Sequence, residues 1–480
     1  MKKTLIAVLM VYSSLANAQK LSWSSPIALT GTIGFTSPQV AVSNSTPIVT
    51  IGNQAAGDLY ATQYVGGSFS NPVKLNPSGF SLSISNNNGP RLAASGDTVY
   101  VTFLDQLETE VYLQRSFDGG LTFSDTIRVG EMASNIPQYA SVAIINGGNP
   151  VISFASLTSA FLNPQYVVAK SYNAGSTFQP LVSVTATLGA DPCDCCAGSI
   201  TVSDNKVAVT YRNSANNLRD MRAAISLDTA SSFSTLGEID SKGWIIASCP
   251  ISGGQSIILG DTLISCFMNG IAGTTTYVSA LNVITNVLGS ETTVFASPGV
   301  GAQDLSSIAG SGDTVGIAWT QQIGSSRKIL FSCSTAGASG LGINIDTVDL
   351  SLPNSVHSNP DLAFANETFY LVFSDNFTSN IYYTQATVPA PSSIIENIKN
   401  NFSLNFANQN TTLNINTTLA INSTTKITIT DAKGALLAAE TLDSIKLNES
   451  ISLKNALVSG VYIVTVTSKD FTFSKKLIAY

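Results

Sequence analysis

The chain has 480 residues, 11% of them charged, with a formal net charge of -7 and a single histidine. That balance argues against nucleic acid as a partner, because phosphate binding needs a basic face, and one histidine excludes any site built from several. The length exceeds one ordinary compact domain unless the fold is a repeat, and sparse charge suits a β-rich exported protein.

Lys2 and Lys3 precede an apolar run from Leu5 to Ala16, and Ala16-Asn17-Ala18 is a small-x-small cleavage signal before Gln19. Residues 1–18 read as a secretory signal peptide, too short for a membrane span. No later run is long and apolar enough for a transmembrane helix.

A strand grammar then recurs. Pro90 to Ala94 is a short strand, Ser95-Gly96-Asp97 turns it, Thr98 to Phe103 alternates as a second strand, Glu110 to Arg115 is a third and Phe123 to Val129 a fourth. The same unit starts near Pro38, Pro90, Ala140, Gly198, Gly253, Ser306 and Pro360. Between the third and fourth strands stands Ser116-Phe117-Asp118-Gly119-Gly120-Leu121-Thr122-Phe123. Its physics is a tight turn: Asp118 accepts from turn amides, the glycines permit positive φ and Phe123 plugs the sheet. The frame returns at Ser171 to Phe178 with Asn173 for the aspartate, and at Ser226, Asp228, Ser232 and Phe233 without glycines. Phe69, Phe123, Phe178 and Phe233 keep its phase, 54, 55 and 55 residues apart. Four strands in about 50 residues is the period of a propeller blade.

The motif, with Ser116, Asp118, Gly120, Thr122 and Phe123 as its structural residues, resembles the Asp box of the sialidase-type (BNR) β-propellers. The seventh unit has only three strands, ending at Asn380 to Gln385. Leu21 to Leu29 resembles the strand that follows each box. The expected fold is all-β: a seven-bladed β-propeller over residues 19–387, closed by the N-terminal strand, with the six blades of Asp-box sialidases as the alternative. Blade five is its weakest repeat.

Residues 388–399 read as a linker, from Thr387-Val388-Pro389-Ala390-Pro391 onward. Residues 400–480 follow as a small immunoglobulin-like β-sandwich, with strands at Lys426 to Thr430, Leu436 to Glu440, Ser450 to Leu453 and Val461 to Thr467. Gly460-Val461-Tyr462 and Lys475-Lys476-Leu477-Ile478 make this segment similar to the C-terminal sorting domain of type IX secretion cargo. That resemblance implies export through the periplasm to the outer-membrane surface or the medium, with the type IX machinery as partner. An ordinary sandwich is the alternative.

In a four-strand meander the box turns lie at one end of the ring, and the connections between blades lie at the other. A ligand site is therefore expected on the face opposite the boxes. That face gathers Asp191-Pro192-Cys193-Asp194-Cys195-Cys196 before blade four and Ser248-Cys249-Pro250 before blade five, with Arg212, Arg219 and Asp220 between them. Cys193, Cys195, Cys196 and Cys249 are expected within a few ångströms of one another. In an exported protein they read as disulfides; three cysteines in four residues also suit copper or zinc. Cys266 and Cys333, inside apolar strands, read as buried thiols. Arg91, Arg212 and Arg219 could clamp a carboxylate as the sialidase arginine triad does, with Asp220 beside them. His357 reads as a solvated loop residue. The sialidase Phe-Arg-Ile-Pro element is absent, and no nucleophile pair can be assembled. The expected function is binding of a glycan or protein on the cysteine-bearing face; the alternative is a sialidase-type exo-glycoside hydrolase.

Overall fold

The computed structural model describes residues 20–29, 34, 36–85, 88–106, 109–130, 135–145, 147–295, 301–349, 356–389, 402–417, 424–468 and 472–479. The expected signal peptide and residues 390–399 of the expected linker lie outside them. The chain divides into two compact units, Met1–Val388 and Pro389–Tyr480. Among the described residues, no helix is long and apolar enough to cross a membrane.

Among the described residues of the first unit seven antiparallel sheets succeed one another, each built on a meander of at least three consecutive strands. Their first strands are Thr36–Ser43, Arg91–Ser95, Ile136–Ile145, Ser199–Ser203, Gly254–Leu259, Gln303–Ser311 and His357–Ala365. The second strands are buried on both faces. In Thr46–Asn53 and Asn149–Leu157 nearly every residue is shielded, because a sheet covered on both sides selects a continuous apolar run rather than alternation. Each first strand lies against the next, and that of the seventh sheet lies against that of the first. Apolar cores fill the gaps between sheets. Leu29, Val40, Val49, Tyr370 and Val372 form the one between the seventh sheet and the first.

The fourth strand of the seventh sheet comes from the start of the chain. Ile27 pairs with Tyr383 and Ala28 with Tyr382. On either side Ser24 N–H donates to Gln385 O and Leu29 N–H to Ile381 O, both at 2.9 Å.

Each box turn is held by its own side chains. Asp118 accepts from Leu121 N–H and Thr122 N–H, both at 3.0 Å, and from the Thr122 hydroxyl at 2.5 Å; the Ser116 hydroxyl donates to it at 2.6 Å. Those donors pull the Asp118 carboxyl down to about 2, the Ser116 bond contributing most. Gly120 has φ +86°, and a Cβ there would meet Ile48 Cδ1 at 2.9 Å. Asp228 repeats the pattern with Ser226, Ser231 and Ser232.

Two expectations are corrected here. The fourth strand of the second sheet is only Ile127–Arg128. The fifth sheet, expected to be weakest, is complete, with an outer strand at Val287–Thr293. It lacks a box because Asn282 does the turn's work, its Oδ1 accepting from Ile284 N–H and Thr285 N–H.

The second unit is a two-sheet sandwich. One sheet holds Phe402–Ala407, Thr412–Thr417 and Asn448–Ser452; the other holds Leu436–Leu442, Thr425–Asp431, Gly460–Ser468 and Thr472–Ala479. Strict alternation sends Tyr462, Val464 and Val466 into its core beside Leu413, Ile415, Ile427 and Ile429.

Candidate functional site

The loops before the fourth and fifth sheets are tied to one intervening loop by backbone bonds. Cys193 N–H donates to Arg212 O at 2.7 Å, Ser214 N–H to Asp191 O at 2.7 Å, Arg219 N–H to Trp244 O at 2.7 Å and Ile246 N–H to Asn217 O at 3.0 Å. Gly253 completes the approach, since a Cβ there would stand 2.0 Å from Ala197 O. Four sulfurs meet as a result, with ligand atoms of Cys193, Cys195, Cys196 and Cys249 all within 4.8 Å of one another. Cys195 and Cys249 form a disulfide. The Cys193 sulfur lies 3.1 Å from that of Cys195 and 3.3 Å from that of Cys196. Cys193 and Cys196 are free and buried, as are Cys266 and Cys333. The hydrogen bond between the two thiols holds Cys193 down at about 7 and pushes Cys196 well up.

The arginines read as a clamp are placed otherwise. Arg212 is fully buried. It donates from Nε to Ser252 O at 2.8 Å and from its two terminal nitrogens to Arg219 O at 2.6 Å and Met268 O at 2.7 Å. Its guanidinium also stands 5.4 Å from the Trp244 ring. Arg219 donates to Ser214 Oγ at 2.7 Å and Ile246 O at 3.3 Å. Asp220 accepts from Gly243 N–H at 2.8 Å and Trp244 N–H at 2.9 Å. These three side chains brace the loops, because their hydrogen-bonding capacity is directed inward at backbone. His357 is corrected as well: it is buried, its Nδ1 paired with Asp349 and its ring 4.9 Å from that of Phe373.

Arg91 lies elsewhere, at the axis. The seven first strands surround a cavity of about 230 Å³. Ser37, Tyr139, Leu305 and Asn359 take φ of 51, 57, 50 and 50° at the start of their strands. The register of each of those strands shifts there. Two residues further on, the repeats align Gln39, Arg91, Ser141, Ser199, Gln255, Ser307 and Asp361; all but Ser307 line the cavity. Several of them link neighbouring sheets. Asp361 accepts from Val40 N–H at 2.8 Å, Ser307 from Leu362 N–H at 3.1 Å and Ser141 from Ile200 N–H at 3.2 Å. Ser252, Gly253, Ala197 and Gly198 also line the cavity, so it opens on the side that carries the cysteine loops. This polar ring was missed in the sequence, although the seven repeat starts place it in one column.

Burial raises the Asp361 carboxyl to about 6, against the pull of Val40 N–H and Arg91. A raised native pKa means the folded state holds its proton over a range where the unfolded chain has lost it. Stability is therefore full below about pH 4 and falls as pH rises to about 6. At about 1.4 kcal/mol per pH unit between 3.8 and about 6, the loss is about 3 kcal/mol. Asp361→Asn keeps an acceptor for Val40 and should flatten that slope in urea titrations run from pH 4 to 7. An unchanged slope would show that Asp361 ionises normally.

Residues 405–480 match the family described as the secretion system C-terminal sorting domain. The second unit is a type IX C-terminal sorting domain. Its presence marks the chain for export and for the type IX machinery, to the cell surface or the medium. The sorting domain accounts for the second unit alone. A search of curated protein sequences finds no relative. Among solved structures, similarity extends to an α-L-arabinofuranosidase of Fusarium graminearum at 11% identity and TM-score 0.44, covering 65% of this chain and 95% of that one. A Hadza microbial sialidase is similar at 13% and 0.40, covering 59% and 63%. The Trypanosoma rangeli sialidase is similar at 11% and 0.43, covering 85% and 86%. These likenesses are too loose to carry an activity.

Proposed function

We propose that the first unit is a closed seven-bladed β-propeller of an exported protein. In this reading it binds a glycan, or a glycan-like face of a protein, at the mouth of its axial cavity on the cysteine-bearing side. Closure is supported by the N-terminal strand on the seventh sheet and by the Asp361–Val40 bond from the seventh sheet to the first. The observation that carries the binding reading is the polar ring: hydroxyls, amides and one guanidinium facing a single cavity suit a polyhydroxylated ligand. Arg91 lines the cavity within electrostatic reach of Asp361, where its guanidinium can meet an acidic substituent.

Hydrolysis is the second reading, and the ring weighs against it. Retaining cleavage needs two carboxyls about 5 Å apart or, in sialidases, a tyrosine nucleophile; among the described residues lining the cavity Asp361 is the one carboxyl and there is no tyrosine. The test is a panel of neutral and acidic oligosaccharides against the mature chain, run beside chromogenic sialosides and arabinosides. Saturable binding weakened at least about tenfold by Arg91→Gln, without turnover, is the expected result. Turnover abolished by Asp361→Asn would establish a hydrolase instead. Binding indifferent to Arg91→Gln would move the ligand away from the cavity.

A further inference from the structure

We infer that Cys193, Cys195, Cys196 and Cys249 are a soft-metal site gated by the Cys195–Cys249 disulfide. Oxidised, that bond links the loops of the fourth and fifth sheets; reduced, four thiolates hold one d10 cation such as Zn²⁺ in its place. Three observations converge on this.

The first is distance. A tetrahedral Zn–S₄ centre with bonds of about 2.3 Å has sulfur–sulfur edges of about 3.8 Å. The separations among Cys193, Cys195 and Cys196 are 3.1, 3.3 and 3.9 Å, and all four sulfurs fall within 4.8 Å. The three edges among Cys193, Cys195 and Cys196 need less than about 1 Å of adjustment, and the Cys195–Cys249 edge, a covalent bond when oxidised, opens by about 1.7 Å once reduced. The second is the pair of buried free thiols beside the disulfide, which a staple alone does not need.

The third is charge. A buried cation is costly unless an anion is near. Arg212 is fully buried, yet its hydrogen bonds go to three neutral carbonyls. Arg219, also buried, bonds a hydroxyl and a carbonyl. Among the described residues no carboxylate is hydrogen-bonded to either guanidinium; Asp220 is occupied by backbone amides and Asp240 by Asn269. Cys196, Asp240 and Cys193 lie within electrostatic reach of Arg212, and the cysteines become anionic when a metal displaces their protons. Zn²⁺ with four thiolates carries a net charge of two minus, which two guanidinium ions offset.

The chemistry balances. A dithiol reductant gives two electrons and two protons to the Cys195–Cys249 bond, yielding two thiols and its own disulfide. Zn²⁺ then forms four Zn–S bonds as four thiol protons leave to solvent.

The test uses the mature chain, untreated or reduced anaerobically with a dithiol, then exposed to Zn²⁺ and desalted. The reduced chain should keep about one Zn²⁺ and the untreated chain almost none, with X-ray absorption giving a shell of sulfurs at about 2.3 Å. Zn²⁺ should also restore the melting temperature that reduction lowers. Cys196→Ser should weaken Zn²⁺ binding at least about 100-fold, and Cys266→Ser, outside the cluster, should leave it unchanged. Because Cys196→Ser could also disturb folding, the absorption measurement on the unmutated chain decides independently. Retention no greater than in Cys196→Ser, a shell dominated by nitrogen or oxygen, or no rise in melting temperature would each overturn the assignment.

Discussion

Removing residues 20–29 should lower the stability of the first unit by about 4–8 kcal/mol, the largest loss expected from any surface segment. Leu21 and Leu29 are 6% and 2% exposed and belong to different cores, the one between the sixth and seventh sheets and the one between the seventh and first. Trp23 packs edge-on against Phe331 with ring centroids 4.8 Å apart. Leu21 N–H donates to Asp346 at 2.9 Å, so a buried carboxylate oxygen would also lose its partner. Each buried leucine contributes about 2–4 kcal/mol. The edge of Asn380–Thr387 would be laid open to pairing with other chains. Urea denaturation of the shortened chain measures the loss, and light scattering the aggregation. Leu21→Ala and Leu29→Ala should each give about half the effect. A midpoint unmoved by the deletion would mean that the ring does not depend on this strand.

The repeat was legible because its signals are local. A phenylalanine at the end of each box, an Asp or Asn accepting from turn amides, and an apolar run twice per unit all act within a few residues. The fifth sheet was undervalued for the same reason. Its turn rests on Asn282 rather than on a box, and the seam it needs is made by residues from its neighbours, such as Met221 and Ile239 on one side and Trp319 on the other. Turn chemistry is written in the turn; packing between sheets is written across about 50 residues.

The site was legible in part. The cysteine loops could be placed together from topology, because each precedes a first strand in adjacent sheets. The direction of the arginine side chains could not. Arg212 ends a strand and Arg219 lies in the following loop, and nothing in the residues beside them says that Arg212 turns toward the carbonyls of Ser252 and Met268, or Arg219 toward that of Ile246, rather than toward solvent. His357 failed similarly: it opens a strand, and the fold buries it against Phe373. The polar ring went unread because a single Ser or Gln in an apolar strand is ordinary. It becomes a signal only when seven repeats are stacked and Gln39, Arg91 and Asp361 fall in one column.

The bracing role of Arg212 has a sharp consequence. Arg212→Met preserves much of the side-chain volume but removes every donor, leaving the carbonyls of Ser252, Arg219 and Met268 facing one another without partners. Buried acceptors stripped in this way cost about 1–3 kcal/mol each, less what entering water returns. A net loss of about 3–5 kcal/mol is expected in urea denaturation, since an uncompensated buried polar group is among the few routes to so large an effect. Arg212→Lys should recover little, because one ammonium cannot span three carbonyls that a planar fork reaches at once, nor stack equally on Trp244. The two loops would then separate, and the Cys195–Cys249 bond should become more easily reduced, since strain and exposure raise a disulfide's potential. A ligand-binding arginine would behave in the opposite way: its loss would spare stability and the disulfide while abolishing affinity. Measuring both quantities on Arg212→Met therefore separates a brace from a clamp.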